Sequence, residues 1–282
     1  MIGLITKGIA GFYYVRYEQF VYQCKARGIF KKDGITPTVG DYVEFDALDD
    51  EEGIINTILP RQNHFIRPPI ANVDCFFIVT AAAHPQPNLL ILDKFLVTAE
   101  RAEIPAVICI NKLDLTSREK LTPIESIYQG IYPILEVSCV TGEGIDLIPE
   151  LIKGRKVAFA GPSGVGKSTM INKLQRGLEL ETGLVSAKTK RGRHVTRHVE
   201  LFETDFGGFI FDTPGFTSFD AACADAGELA GYYPEMTKYI QNCRFDDCMH
   251  IKEPDCAILE AVKEKKIAAS RYESYKRQIE GI

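Results

Sequence analysis

Eight residues constrain this chain more than any others: Gly161-Pro-Ser-Gly-Val-Gly-Lys-Ser168. They follow the apolar run Lys156-Val-Ala-Phe-Ala160 and lead into Thr169-Met-Ile-Asn-Lys-Leu-Gln175, whose spacing suits a helix. A glycine-rich turn between strand and helix, ending in Lys-Ser, is built for a phosphate. The glycines let backbone N–H groups turn inward around an oxyanion, and the helix N-terminus adds partial positive charge. On this reading Gly161, Pro162, Ser163, Gly164, Val165 and Gly166 form the cradle, with Thr169 at its helical end. Lys167 reaches the β- and γ-phosphates, and the Ser168 hydroxyl holds Mg²⁺.

A chain of 282 residues has room for two or three domains and a sizeable core. No run of eighteen apolar residues occurs, and Met1-Ile-Gly-Leu-Ile-Thr-Lys7 lacks a signal peptide's basic start and long apolar stretch. The expectation is a cytoplasmic protein with no membrane partner. A net charge of −5 argues against nucleic-acid binding through overall charge, which leaves local basic patches as the route. Of eight cysteines, Cys24, Cys75, Cys109, Cys139 and Cys223 are scattered singly, mostly in apolar surroundings, unlike a disulfide framework.

Residues 1–66 alternate apolar and polar residues in short runs, such as Gly11-Phe-Tyr-Tyr-Val15 and Asp41-Tyr-Val-Glu-Phe45. That pattern indicates an all-β domain of about five short strands, closed as an OB-type barrel. Such barrels commonly bind RNA on one face, and Tyr13, Tyr14, Arg16 and Arg27 could supply that face or simply pack the barrel. The stiff Arg67-Pro-Pro69 suits a domain boundary.

From residue 73 the rhythm becomes strand and helix in alternation: Cys75–Thr80 and Pro105–Ile110 as buried strands, with helical spacing over Leu89–Ala102. At the end of the second strand sits Asn111-Lys-Leu-Asp114. The N-K-x-D spacing reads guanine, because one carboxylate can accept from both N1–H and the exocyclic amine, a donor pair that adenine lacks. After a third strand, Ile134–Val137, the Ser138-Cys139 loop resembles the one that backs a guanine ring through backbone N–H groups. These base-reading elements precede the phosphate loop, whereas ordinary GTPases carry them after it. Joining old termini and opening new ones preserves a fold while permuting its sequence.

Downstream, Ser186–His198 carries five Lys or Arg residues and no acid, and lies where a switch I loop belongs; Thr196 could cap Mg²⁺ and the γ-phosphate there. After strands at 199–202 and 208–211 comes Asp212-Thr-Pro-Gly215, with Asp212 matching a Mg²⁺-associated acid and Gly215 a γ-phosphate contact. Phe216 stands where many GTPases place a water-orienting glutamine, so unaided hydrolysis should be slow. Finally, Cys243, Cys248, His250 and Cys256 form C-x₄-C-x-H-x₅-C, a closed tetrahedral set for one structural Zn²⁺. A helix over Ala257–Glu280 follows, with Arg271 among the cations of one basic or merely solvated face.

The barrel, the order N-K-L-D, G-P-S-G-V-G-K-S, D-T-P-G and the C-x₄-C-x-H-x₅-C tail together resemble the circularly permuted, ribosome small subunit-dependent GTPases of the RsgA family across essentially the whole chain. The resemblance implies an OB barrel over 1–66, a permuted GTPase domain over 67–220 and a mainly helical zinc domain over 221–282. It further implies a bacterial GTPase that turns GTP into GDP and phosphate when stimulated by the small ribosomal subunit, whose rRNA it contacts late in maturation; the separate expectation is a monomer. His194, in Lys190-Arg-Gly-Arg-His194, resembles a histidine proposed to aid the catalytic water, and Val195 replaces a family threonine, leaving Thr196 for the switch. Two other classes share the P-loop: a phosphotransferase acting on a small metabolite, and an RNA-binding module that holds GTP structurally.

Overall fold

The structure is a computed structural model that describes residues 1–28, 30, 34–174, 199–212 and 225–281. His194, Thr196, Gly215, Phe216 and Cys223 lie outside the described residues, as does the basic 186–198 stretch.

The alternating N-terminal runs form strands β1 (Ile2–Ile9), β2 (Phe12–Tyr17), β3 (Phe20–Ala26), β4 (Tyr42–Ala47) and β5 (Glu52–Ile58). β1, β2 and β3 pair antiparallel in sequence order, β3 joins β5 in parallel, and β5 and then β1 pair antiparallel with β4. The ladder therefore closes into the expected five-stranded barrel. Because strand side chains alternate faces, every second residue points inward, and Ile5, Val15, Cys24, Val43, Phe45 and Ile55 fill an interior from which water is excluded. Next come β6 (His64–Ile66) and β7 (Pro69–Ala71), an antiparallel hairpin. The Arg67-Pro68 pair read as a stiff boundary is the turn of this hairpin; proline has no N–H to lose to a ladder there.

The α/β part runs β8 (Cys75–Ala81), α1 (Leu89–Arg101), β9 (Ala106–Asn111), α2 (Arg118–Tyr128), β10 (Ile134–Glu136), α3 (Ile148–Ile152), β11 (Lys156–Ala160), α4 (Lys167–Leu174), β12 (Glu200–Glu203) and β13 (Phe209–Asp212). All residues of β8, β9 and β11 are buried, as befits parallel strands covered on both faces.

The chain divides into two compact units, one drawn from 1–75, 146–159 and 168–216, the other from 76–145, 160–167 and 217–282. In the first, β11 pairs in parallel with β13, β13 antiparallel with β12, and β12 meets the barrel's β1 at Lys7↔Glu200, where the two side chains form a 2.8 Å ion pair. In the second, β10, β9 and β8 lie side by side in parallel.

The second unit also holds α5 (Pro234–Ile240), α6 (Ala257–Lys263) and α7 (Ala269–Glu280). The single helix expected over 257–280 is thus two helices. Lys265 takes a left-handed backbone, φ 60°, which no α-helix can continue through. Tyr233, Met236, Ile258 and Tyr275 form the centre of this helical core. Arg271, expected on a wetted face, is instead fully buried on α7.

Candidate nucleotide site and metal centre

The Asn111–Asp114 turn and the 161–168 loop meet through one side chain. Asn111 closes β9 with 1 % exposure; its Nδ2 donates to Val165 O at 2.8 Å, and its Oδ1 accepts from the Cys139 N–H at 3.2 Å. An amide is the side chain suited to this, offering a donor and an acceptor at opposite corners. Lys112 follows in a left-handed conformation, φ 68°, so its side chain turns back across the loop and donates to Gly164 O at 2.7 Å and to His84 O. Asp114 accepts from the Ser138 hydroxyl at 2.5 Å, while that same oxygen accepts from Val140 N and Thr141 N. The carboxylate is thereby aimed by a serine that the backbone of its own 138–143 loop holds in place. Gly142 and Gly144 both have positive φ and let the 138–144 loop fold back on itself.

The phosphate loop owes its path to two glycines. At Gly161, φ 141°, a Cβ would sit 2.2 Å from Val79 O; at Gly166, φ 101°, it would sit 2.2 Å from Asn111 Nδ2. Any side chain at either place would push the loop off β8 or off Asn111. Val165 is buried beneath the loop, whereas Ser163 and Gly164 are open to solvent. Lys167 curls into the loop and donates to Gly161 O at 2.6 Å and Pro162 O at 2.8 Å, and burial lowers its pKa to about 8. Two neutral carbonyls compensate a cation poorly, so a polyphosphate is the natural partner for this ammonium.

Ser168 and Thr169 continue into α4 directly after Lys167, with Ser168 exposed. Asp212 ends β13, and both burial and Glu200, its cross-strand neighbour, raise its carboxyl above the usual range. A hydroxyl and a carboxylate are hard oxygen donors of the kind Mg²⁺ takes. The loop that carries His84 was missed from the sequence. Its signal was present, since His84-Pro-Gln-Pro87 follows β8 at the strand's C-terminal end, where ligands bind in such sheets.

In the tail, Cys243 Sγ lies 3.5 Å and Cys256 Sγ 3.4 Å from His250 Nδ1, the two sulfurs are 3.9 Å apart, and the donor atoms of Cys243, Cys248, His250 and Cys256 all fall within 4.8 Å of one another. Tetrahedral zinc bonds would set such atoms about 3.5–3.8 Å apart. His250 and Asp255 both have positive φ, the tight turns that bring the four together. The Glu253 carboxylate accepts from Met249 N, Ile251 N and Lys252 N, and the hydroxyls of Tyr272 and Tyr275 donate to His250 O and Met249 O. The knuckle is therefore held by its own acid from within and by α7 from beneath. The fit is to a soft, four-coordinate ion.

Comparison with known proteins agrees with this geometry. Residues 58–222 match the family model of the RsgA GTPase and residues 2–55 that of the RsgA N-terminal domain. A protein named small ribosomal subunit biogenesis GTPase RsgA from Caldanaerobacter subterraneus is 47 % identical, covering 97 % of this chain and 92 % of that protein. Its namesake from Agathobacter rectalis is 45 % identical over 98 % and 96 %. Among solved structures, YjeQ from Thermotoga maritima superposes with a TM-score of 0.88 at 36 % identity, covering 99 % and 97 % of the two chains. YloQ, described as a circularly permuted GTPase, gives 0.83 at 34 % identity over 100 % and 94 %. With both family models matched and relatives alike over nearly the whole chain, the chain belongs to the RsgA GTPase family.

Proposed function

We propose that this chain is a cytoplasmic, monomeric GTPase that binds the small ribosomal subunit, contacts its rRNA and hydrolyses GTP to GDP and phosphate when the subunit stimulates it. The observation that carries the nucleotide-site assignment is the Asn111 amide, bonded to Val165 O on one side and to Cys139 N on the other. It joins base reader and phosphate cradle although the chain presents them in reversed order. The ribosomal partner rests on the names of the relatives. Among the described residues no helix is long and apolar enough to cross a membrane.

Each residue then has a task. Asp114 accepts from the guanine edge, Lys112 lies along the base, and the 138–139 backbone lies behind it. The N–H groups of residues 161–169 surround the phosphates, with Lys167 leaving its two carbonyls for the β- and γ-oxygens. Ser168, Asp212 and Thr196 would hold Mg²⁺, which supplies charge neutralisation between the phosphates. Gly215 donates to the γ-phosphate, and His194 orients water in place of the glutamine that Phe216 displaces. Cys243, Cys248, His250 and Cys256 hold a structural Zn²⁺. The domains proposed are 1–66, 67–220 and 221–282, so loss of the γ-phosphate beside Asp212 would alter how the adjoining zinc domain sits on RNA.

The test is phosphate release from GTP by the full chain with and without purified small subunits. Stimulation without any phosphorylated product supports the reading. A phosphorylated metabolite would establish the phosphotransferase, and near-zero turnover unchanged by subunits would establish a module that merely holds GTP.

A further inference from the structure

A cavity of about 710 Å³ opens beside the β1–β2 turn of the barrel. That lies within the range of roughly 300–1,000 Å³ typical of small-molecule sites, which favour barrel mouths. Its walls come from the β1–β2 turn with Phe12 and Tyr13, from the 34–39 segment with Ile35, and from the β6–β7 hairpin with His64 and Ile66. Ile35 and Ile66 are 47 % and 77 % exposed, large apolar side chains left in water at the rim.

Among the described lining residues the one permanent cation, Arg61, is already neutralised. Arg61 grips the fully buried Asp41 through Nε–Oδ1 and Nη2–Oδ2 bonds of 2.7 Å each, and gives a further bond to Thr36 O at 2.8 Å. His64 is held neutral near pH 7 by partial burial and by the Arg61 charge. The described part of the interior is therefore apolar and aromatic with its charge paired, and carries an imidazole that can donate or accept. Outside it the sign changes: the Lys25 ammonium stands 5.1 Å from the centre of the Phe12 ring, and Lys25 and Arg27 are both exposed. A flat neutral group inside with an anion just outside is the chemistry of one nucleotide of a single strand.

We infer that this cavity takes a single unstacked nucleobase of an RNA strand, stacked against Tyr13 and walled by Ile35 and Ile66, while Lys25, against the Phe12 ring on the other face of β2, contacts the flanking phosphate. The inference rests on the proposal that the chain contacts rRNA, and it narrows that contact from a strand face to a pocket.

The test uses the full chain and two short single-stranded RNA probes: a heptaribonucleotide with 2-aminopurine at its centre, and the same strand with an abasic site there. The expected result is a fluorescence change on binding and about tenfold weaker binding of the abasic strand, the scale of losing one base–aromatic stack. Ile66→Ser, on a side chain too exposed to threaten folding, and Tyr13→Leu should each weaken the 2-aminopurine strand several-fold and leave the abasic strand alone. Lys25→Ala should weaken both strands equally. Equal binding of the two strands overturns the pocket. So does an Ile66→Ser variant that stops pelleting with small subunits yet binds both probes normally, which would make the occupant a ribosomal protein. Failure of the wild type to pellet at all would instead sink the ribosomal reading, whatever the probes show.

Discussion

The Arg271 guanidinium lies 2.5 Å from the Asp93 carboxylate, with both side chains fully withdrawn from solvent. The same guanidinium grips Glu235 through Nε at 2.6 Å and Nη2 at 3.2 Å and lies over the Tyr233 ring at 4.4 Å, while the Tyr128 hydroxyl donates to Asp93 at 2.8 Å. One side chain on α7 thus pins α1 and α5. Burial pushes the Asp93 carboxyl up, and Arg271 and its hydrogen bonds oppose that rise. Arg271→Met leaves two acids buried without their cation, so urea denaturation should show a loss of about 3–5 kcal/mol, the usual cost of breaking such a network from one side. Adding Asp93→Leu should recover part of that loss, because the second change removes a stranded charge.

That network also marks what could not be read in advance. Arg271 stands in the sequence among lysines and acids, and its partners lie 178 and 36 residues away, so no local spacing points to it. The features that were legible are local. The glycine-rich 161–168 loop, the N-K-x-D turn and the Cys₃His cluster each need residues within a dozen or so positions, because backbone geometry brings those groups together. The barrel announced itself through period-two alternation. The division of Ala257–Glu280 into two helices was hidden because it rests on one left-handed residue, Lys265, of a type that fits well inside helices. Tyr14 and Arg16, read as possible RNA contacts, turn out to be engaged: Tyr14 donates to Gln23 at 3.4 Å, and Arg16 pairs with Glu203 and lies over the Phe209 ring.

Nucleotide affinity should depend on pH through Lys167, whose pKa burial lowers to about 8. Below that value the free protein already carries the ammonium, and the phosphates meet it charged. Above it the amine is neutral and must take up a proton to bind. The bound polyphosphate raises the pKa, so affinity should fall as pH rises past about 8, by up to tenfold per pH unit. Calorimetry in buffers of different ionisation enthalpy should record proton uptake at pH 8.5 and little at pH 7. A Lys167→Met variant, weaker throughout, should show no such uptake.

Metal removal should act on the tail. The full chain should carry one zinc by elemental analysis, and Cys256→Ser should lower that content. Because the four ligands and the Glu253-bonded knuckle are stapled to α7 through Tyr272 and Tyr275, chelation should expose these phenols and lower the melting temperature by several degrees or more. Guanine nucleotide binding should persist in the chelated protein wherever residues 76–167 stay folded.

Gly166→Ala should abolish nucleotide binding with only a small loss of stability. The added methyl would meet Asn111 Nδ2 at 2.2 Å in a backbone conformation, φ 101°, that L-residues avoid, so the Asn111–Val165 bond and the loop cannot both survive. The scaffold beneath is untouched, since the methyl meets nothing but that side chain. Circular dichroism like the wild type's with no detectable GTP binding is the expected pair of results.

The proposed base reader is Asp114, held by the Ser138 hydroxyl at 2.5 Å. Asp114→Asn replaces one acceptor oxygen by a donor amide. Guanine would then face N–H against N–H, and a mispaired polar contact in such a site typically costs a factor on the order of 10⁴. Xanthine, with a carbonyl in place of the exocyclic amine, supplies the acceptor that the new amide wants. Competition binding should therefore show preference passing from GTP to XTP. Ser138→Ala is the companion measurement: it leaves Asp114 a carboxylate but removes the hydroxyl that aims it, so GTP should bind roughly tenfold more weakly with no gain for XTP, the loss of about one charge-assisted hydrogen bond. Retained GTP selectivity in Asp114→Asn would move base reading elsewhere.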